Sequence, residues 1–291
     1  MQTHMRRIVI TGANKGIGFA LASAILEHAD DTFVYLGSRD AVRGDAARTT
    51  LAARPGWGDR IAVLPLDVSN DSSVARARSQ LDGAQLYGVV NNAGVGVAVT
   101  SLATVLDVNT YGVRRVCEAF ASLVTTGGRI VNITSASGPS FVAKCSAERK
   151  QLLTDPGVEW AQIEALMKEA LAIAAKRGSF AEAGLGDGEA YGLSKACANA
   201  FTLAFARAHP ELHVNACTPG FIETDLTRPY LASSGKTAQE IGMKSPAEGT
   251  RAPMHLLFGA LEGNGRYYGS DARRSPLDRY RSPSDPEYAG P

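Results

Sequence analysis

Short apolar segments rich in β-branched residues alternate with helix-compatible segments over the first 134 residues. We predict strands at 7–11, 32–37, 61–66, 86–91 and 129–134, and helices at 18–26, 40–53, 72–81 and 102–124. Strands joined through helices run parallel, because a helical crossover returns the chain to the same edge of the sheet. The alternation therefore predicts an α/β fold with a doubly wound, Rossmann-like parallel sheet.

The alternation stops in residues 139–188, which contain no strand-like run. Six apolar residues in this segment fall at helical spacing: Ile163, Leu166, Met167, Ala170, Leu171 and Ala174. We predict a helical insertion whose apolar stripe contacts the core, with a membrane or partner surface as the alternative. Regular structure resumes with a helix at 191–208, a strand at 212–218, a helix at 246–258 and an edge strand at 266–268.

The domain organisation follows from length and composition. A doubly wound sheet commonly reaches ~250 residues as one unit, so we predict a single domain over residues 1–268 that includes the insertion 139–188. Residues 269–291 carry four prolines among arginine, serine and aspartate. We expect this C-terminal tail to be disordered or loosely docked, because it has little apolar surface to bury.

The charge balance and the cysteine spacing exclude several kinds of partner. The 30 Lys+Arg and 29 Asp+Glu residues give a net charge of +1, without the basic excess of nucleic-acid-binding proteins. No apolar run approaches the ~20 residues that span a bilayer, and the start resembles no secretion signal. We therefore expect a cytoplasmic protein without nucleic-acid or membrane partners. The four cysteines are widely spaced, so we predict reduced thiols and no metal site.

A glycine-rich segment, residues 11–18, joins the first predicted strand to the first predicted helix. Free backbone N–H groups and the helix dipole favour an anion at the start of a helix. Glycines in this turn let the backbone approach a pyrophosphate without a Cβ in the way. We predict a dinucleotide site with contacts from Gly12, Asn14, Lys15, Gly16, Ile17 and Gly18.

The end of the second predicted strand distinguishes the two nicotinamide cofactors. An acidic residue there would bond the ribose 2′-hydroxyl of NAD and repel the 2′-phosphate of NADP. This chain has Arg39, whose planar guanidinium suits a phosphate, and Lys15 offers a second cation. The predicted cofactor is therefore NADP(H). In the alternative reading, Arg39 is a solvated loop charge and Asp40 caps the next helix.

Tyr191 and Lys195 lie four positions apart in a predicted helix, so both side chains are on one helical face. A free tyrosine has a pKa near 10, so a tyrosine that donates a proton at neutral pH needs positive charge to stabilise its anion. A fixed lysine and an oxidised nicotinamide could supply that charge together in a water-poor pocket. This spacing alone also arises by chance.

Four motifs in order resemble those of the short-chain dehydrogenase/reductase family over about residues 5–268. They are Thr11-Gly-x-x-x-Gly-x-Gly18, Asn91-Asn-Ala-Gly94, the Ser135 that ends Asn132-Ile-Thr-Ser, and Tyr191-x-x-x-Lys195. Asn109 resembles the family's helix asparagine, and Pro219-Gly-Phe-Ile-Glu-Thr224 resembles its nicotinamide-side loop.

The resemblance implies a division of catalytic labour. Tyr191 would protonate a carbonyl oxygen while the nicotinamide delivers hydride to the carbon, and Ser135 would hold that oxygen. Lys195 would lower the pKa of Tyr191 and bind the nicotinamide ribose, and Asn109 would fix a water that relays protons to the lysine.

The same resemblance implies further cofactor contacts. Asp67, with Val68, would meet the adenine; Asn91, with Ala93 and Gly94, would support the adenosine side; and Thr224, with Pro219 and Gly220, would bond the carboxamide. For four of the catalytic and cofactor residues, a purely structural role is the alternative. Ser135 could satisfy a turn and Asp67 could end a strand, whereas Asn109 could bond backbone within a kink and Thr224 could cap a helix.

Two spacings depart from the usual pattern of the family. The long separation between Ser135 and Tyr191 contains the insertion, and in this the chain resembles the monomeric carbonyl reductases. A helix laid beside the one that bears the tyrosine should cover the surface used by oligomeric members, so we expect a monomer. The segment 94–109 is shorter than usual, which could shift Asn109.

We therefore expect an NADPH-dependent reductase of a small aldehyde, ketone or quinone, with a substrate lid at 221–245. One alternative is an alcohol dehydrogenase that works in the oxidative direction. The other is a regulator that senses NADPH without chemistry. The carbonyl substrate itself does not follow from the sequence, because its pocket is built from loops.

Overall fold

A parallel sheet forms the centre of the computed structural model, which describes residues 5–96, 99 and 101–290. The strands are β1 (Arg6–Ile10), β2 (Thr32–Ser38), β3 (Ile61–Pro65), β4 (Leu86–Asn91), β5 (Val124–Ile133), β6 (His213–Cys217) and β7 (Tyr267–Tyr268). Their order is β3-β2-β1-β4-β5-β6-β7, and all pairings are parallel. The order reverses between β1 and β4, which confirms the predicted doubly wound sheet and puts a crevice at that edge.

Helices cover both faces of the sheet. They are α1 (Gly16–His28), α2 (Ala41–Ala52), α3 (Asp71–Ser79), α4 (Leu102–Leu106), α5 (Gly112–Phe120), α6 (Ser137–Lys144), α7 (Ala147–Thr154), α8 (Trp160–Ala175), α9 (Ala190–Ala208), α10 (Arg228–Ser234) and α11 (Arg251–Phe258). Short 3₁₀ turns lie at Gly58–Arg60, Ala121–Leu123 and Glu248–Thr250. One buried core packs α3, α5, α8 and α9 against the sheet, and a second packs α1, α2 and α11 against its other face.

Two helix predictions need correction. The single helix predicted over 102–124 is interrupted by a π-helical turn, Asp107–Tyr111, and β5 begins already at Val124. The helix predicted over 246–258 begins only at Arg251, after a 3₁₀ turn. The segment 221–245, predicted as a lid, contains α10 and a bridge between Ile222 and Lys244.

The insertion is helical, as predicted, and consists of α6, α7 and α8 with their connections. Ile163, Leu166, Met167 and Ala170 of α8 are at most 1% exposed, and α8 packs beside α9. Their burial supports core contact for the apolar stripe. The stripe ends a turn earlier than predicted, since Ala174 is exposed.

The prediction of a loosely docked tail is wrong for its described residues, 269–290. The tail folds back along β7, where Ser275 N–H donates to the Tyr267 carbonyl at 2.8 Å and Arg274 bridges Tyr268. Farther along, the guanidinium of Arg281 donates to Asp271 at 2.5 Å, with side-chain exposures of 5% and 10%. Composition suggested a loose tail because it counts apolar residues, whereas this tail is held by buried polar bonds.

Two kinds of feature are absent from the described part of the chain. None of its helices is long and apolar enough to cross a membrane. It also contains no group of three or more His, Cys, Asp or Glu side chains placed to hold a metal ion. Residues 1–4, part of the predicted domain and of the start compared with secretion signals, and Pro291 of the tail lie outside the described residues.

Candidate active site

A cleft of about 580 Å³ lies at the carboxyl edge of the sheet, where the strand order reverses. That volume is within the range of small-molecule and cofactor sites. Predicted cofactor residues that line it are Gly12, Asn14, Lys15, Gly16, Ile17, Arg39, Asp67, Val68, Ala93, Gly94 and Thr224. Predicted residues that are not part of this lining are Gly18, Asn91, Pro219, Gly220 and the catalytic candidates Asn109, Ser135, Tyr191 and Lys195.

The glycine turn approaches its neighbours too closely for larger side chains. Gly12 has a φ of +64°, and a Cβ there would lie 3.0 Å from the Cα of Ala93. A Cβ on Gly18 would lie 2.5 Å from the Asn92 side chain, so Gly18 serves packing below the cleft. The side chain of Lys15, which precedes α1, makes no capping hydrogen bond to the helix. The turn therefore presents backbone and the start of a helix to the cleft, as an anion site requires.

Asn92 holds this turn against the end of β4 by hydrogen bonds, a role that was not predicted from the sequence. Its side-chain amide donates to the carbonyls of Thr11 and Gly12 at 2.9 and 3.1 Å. The neighbouring Asn91 points into the interior, where its amide donates to Asn132 at 2.8 Å. Asn91 is the last residue of β4 and is 2% exposed, whereas Asn92 follows the strand and lines the cleft.

The part of the cleft at the ends of β2 and β3 carries one exposed arginine and one hydrogen-bonded carboxylate. Arg39 is exposed and, among the described residues, forms no ion pair. Asp67 accepts from the backbone and hydroxyl of Ser69 at 3.0 and 2.7 Å. Asp40 accepts from the Arg43 N–H and caps α2, so this part of the alternative reading is confirmed.

Tyr191 and Lys195 lie one turn apart on α9, whose start is capped by Glu189. The Lys195 Nζ is 5.7 Å from the centre of the Tyr191 ring. Burial raises the pKa of Tyr191, and the interaction with the Ser135 side chain acts in the opposite direction. The lowered Tyr191 pKa expected from the resemblance is therefore not a property of these side chains alone, because desolvation outweighs the other influences.

Lys195 is a buried cation with a backbone partner. It is 4% exposed, and its ammonium donates to the carbonyl of Ile133 at 3.1 Å. Burial lowers the pKa of Lys195 to about 8. A Cβ on Gly94 would lie 3.6 Å from the Lys195 Nζ and 3.2 Å from the Asn109 Oδ1. Gly94 lines the cleft, so the Lys195 ammonium and the Asn109 side-chain oxygen lie directly behind the cleft wall at this residue.

Asn109 lies in the π-helical turn and is fully buried. Its amide donates to the Val95 carbonyl and the Ser194 hydroxyl, both at 3.0 Å, and its carbonyl accepts from the Val95 N–H at 2.9 Å. The side chain therefore bonds backbone at a kink, as the alternative reading had it, and also joins that kink to α9. Single π-helical turns occur frequently at functional sites.

Thr224 faces the glycine turn from the opposite wall of the cleft. A Cβ on Gly16 would lie 3.4 Å from its methyl group. The Thr224 N–H is bonded by the Thr227 hydroxyl at 3.0 Å. Gly220 has a φ of +98° and packs toward Ser270 at the start of the tail, behind the cleft.

Sequence comparisons identify proteins that this chain resembles. A profile of the family described as short chain dehydrogenase matches residues 6–147. Carbonyl reductase (NADPH) 1 of Macaca fascicularis is 28% identical over 91% of this chain and 95% of that protein. (+)-Neomenthol dehydrogenase of Arabidopsis thaliana is 29% identical over 87% of this chain and 91% of that protein.

Solved structures share the fold. Menthone neomenthol reductase from Mentha piperita aligns with a TM-score of 0.75 and 25% identity, covering 91% of this chain and 99% of that chain. Salutaridine reductase from Papaver somniferum has a TM-score of 0.75 at 22% identity, covering 90% and 99%. The second likeness is one of fold alone.

Proposed function

We propose that the chain is a member of the short-chain dehydrogenase/reductase family and that it reduces a carbonyl group of a small aldehyde, ketone or quinone with NADPH. The observation that carries the proposal is the placement of Tyr191 and the buried Lys195 one helical turn apart, with Lys195 against the Gly94 wall of the cleft. A buried lysine without a carboxylate partner is costly, which is typical of a functional site.

The cleft residues fit an NADP cofactor. The glycine turn would receive the pyrophosphate, because backbone and a helix start face the cleft there. Arg39 and Lys15 would bind the 2′-phosphate, and Asp67 would meet the adenine. Thr224 would bond the carboxamide. The bound cofactor supplies a hydride to the carbonyl carbon of the substrate.

Tyr191 acts as the general acid in this proposal. Its raised pKa keeps the phenol protonated at neutral pH, so the proton is present when a carbonyl oxygen arrives. The phenolate left after transfer is stabilised by Lys195, whose ammonium sits one turn away in a pocket of low polarity. Ser135, whose hydroxyl accepts from the Ser137 N–H at 3.1 Å, holds the substrate oxygen.

Asn109 acts through the position of α9. Its bond to Ser194 ties the helix that bears Tyr191 and Lys195 to the π-helical turn. We keep the water relay to Lys195 as a prediction, with the Asn109 carbonyl and the Lys195 ammonium meeting at Gly94. The short segment 94–109 is compatible with this geometry, since Val95 itself bonds Asn109.

The first experiment is a panel of aldehydes, ketones and quinones assayed by loss of NADPH absorbance, with NADH in parallel. We expect turnover with NADPH. Tyr191→Phe should lower kcat by about 10²- to 10⁴-fold, because it removes the acid, and should leave the NADPH Kd unchanged. Tyr280→Phe, at an exposed tail residue, is the matched control. An unchanged rate in Tyr191→Phe would exclude the assigned acid. NADPH binding with no turnover of any substrate in either direction would favour the sensing regulator.

We further propose that the protein is a monomer in the cytoplasm. The buried stripe of α8 covers α9, and the tail covers the outer strand β7, so both surfaces are already occupied. The four cysteines are free and buried, which suits a reducing compartment. Size-exclusion chromatography with light scattering should give a mass near 30.6 kDa. A mass near twice that value would contradict the proposal.

A further inference from the structure

An ion pair crosses the mouth of the cleft between two segments that are distant in sequence. The Lys15 ammonium of the glycine turn donates to the Asp225 carboxylate at 2.6 Å. Asp225 follows Thr224 in the lid segment 221–245, and both partners line the cleft. The Arg228 guanidinium contacts the second oxygen of Asp225 at 2.8 Å. Hydrogen bonding to Lys15 lowers the pKa of Asp225, so the carboxylate is charged at neutral pH.

The two cations assigned to the 2′-phosphate therefore differ in whether a carboxylate of the protein already binds them. Arg39 is exposed and has no ion-pair partner among the described residues, whereas the charge of Lys15 is already met by Asp225. A phosphate that binds Lys15 must displace this carboxylate or share the lysine with it. Sharing places two anions close together, which weakens binding of the phosphate.

The pair is built so that it can be exchanged. Its side chains are 54% and 44% exposed, and solvent-exposed pairs of this kind contribute little to stability. A phosphate of charge near −2 is a stronger partner for an ammonium than one carboxylate. Displaced from Lys15, the Asp225 carboxylate still has Arg228 as a partner within its own segment.

We propose that Asp225 is a specificity-determining residue that competes with the cofactor 2′-phosphate for Lys15. It weakens the binding of NADPH and leaves the binding of NADH nearly unaffected, because only NADPH carries the competing phosphate. The proposal rests on the proposed function, since it takes the cleft as the NADPH site. A moderated affinity also favours release of the oxidised cofactor after each turnover.

The test is a titration of cofactor binding by calorimetry, without substrate. Asp225→Asn keeps the shape of the side chain and removes its charge. We expect it to tighten NADPH binding by about three- to tenfold and to change the NADH Kd by less than about twofold. Glu223→Gln is the matched control, because Glu223 is an exposed carboxylate of the same cleft, two positions away, with no ion-pair partner among the described residues. It should shift the NADPH Kd by less than about twofold.

A double-mutant cycle isolates the competition for Lys15. In a Lys15→Met background, Asp225→Asn should lose most of its effect on NADPH, because the contested cation is gone. Titration with 2′-AMP and 5′-AMP tests the effect of the 2′-phosphate without the rest of the cofactor. Only 2′-AMP should bind more tightly to Asp225→Asn than to wild type. Thermal unfolding of each variant checks that the fold is intact.

Three results would overturn the inference: no tightening in Asp225→Asn, equal tightening for NADPH and NADH, or an effect that persists in full without Lys15. A wild-type protein that binds no NADPH would overturn the proposed function instead. The two failures are therefore distinguishable within one set of titrations.

Discussion

Lys195 behind the wall of the candidate active site and Arg281 in the C-terminal tail are both buried cations, but their surroundings differ. Lys195 is 4% exposed and donates to a carbonyl, and burial lowers its pKa to about 8. Arg281 is 9% exposed and bonds Ser275, the carbonyls of Ser282 and Asp285, and the Asp271 carboxylate. Among the described residues Lys195 has no anionic partner, whereas Arg281 has four acceptors, one of them a carboxylate.

This difference separates a functional from a structural use of charge. A buried cation without a counter-ion costs folding free energy, so its retention points to chemistry that needs it. A buried cation with full bonding holds segments together, and removing its partner leaves an uncompensated charge. We therefore expect that loss of the charge of Lys195 stabilises the protein, whereas loss of a charge from the Arg281 cluster destabilises it.

The tail should show the largest effect. Asp271→Asn leaves the Arg281 guanidinium buried without its carboxylate, and we expect a loss of about 3–5 kcal/mol in the free energy of unfolding. Urea denaturation measures this loss. Asp278→Asn is the control in the same tail, because its pair with Arg279 is exposed, and it should cost less than about 1 kcal/mol. Equal effects of the two substitutions would mean that the buried pair of Arg281 and Asp271 contributes no more to stability than the exposed pair of Arg279 and Asp278.

Removal of the Lys195 charge should change the stability in the opposite direction. Lys195→Met removes a buried charge whose pKa lies at about 8 instead of 10.5. At about 1.36 kcal/mol per pKa unit, the variant should gain about 3 kcal/mol of stability at pH 7 while losing carbonyl reduction. Lys144→Met, at an exposed lysine paired with Asp187, should change stability by less than about 1 kcal/mol. A Lys195→Met protein less stable than wild type would mean that the lysine supports the fold.

Much of the fold could be predicted because it repeats a local pattern. Apolar strand segments located β1 to β4 and β6 to within one residue, although β5 begins five residues before its predicted start, and right-handed crossovers leave few ways to order the strands. The break in the helix predicted over 102–124 could not be predicted, because the π-helical turn is fixed by bonds from Asn109 to Val95 and Ser194. The tail was misjudged for the same reason, since the partners of Arg281 are spread from 271 to 285.

The residues of the candidate site also differ in how well a local sequence pattern could predict their placement. Motif spacing located the glycine turn, Thr224 and the pair of Tyr191 and Lys195, whose placement depends on single elements. The choice between Asn91 and Asn92 needed the end of β4, which lies at Asn91, so that Asn92 is the residue that lines the cleft. The pairing of Lys15 with Asp225 joins positions far apart in sequence, and no local pattern carries that information.

The pH dependence of stability gives the finest test of the contrast. Between a folded pKa of about 8 and an unfolded pKa of 10.5, Lys195 holds its proton only in the unfolded chain. Unfolding then binds a proton, so the Lys195 contribution to stability rises with pH through this window. The advantage of Lys195→Met should therefore shrink by about 2 kcal/mol, from about 3 at pH 7 to about 1 at pH 10. Urea denaturation of both proteins across this range measures the difference.

Wild type must be compared with Lys195→Met because other buried groups near Lys195 also titrate. Burial raises the pKa of Tyr191 and of Cys217, the groups that face Lys195, so both favour unfolding as pH rises above their ordinary pKa values. These groups are present in wild type and in Lys195→Met, so their contributions largely cancel in the difference. A difference that stays constant from pH 7 to pH 10 would mean that Lys195 has an ordinary pKa. Lys195 would then be solvated, and its contrast with Arg281 would disappear.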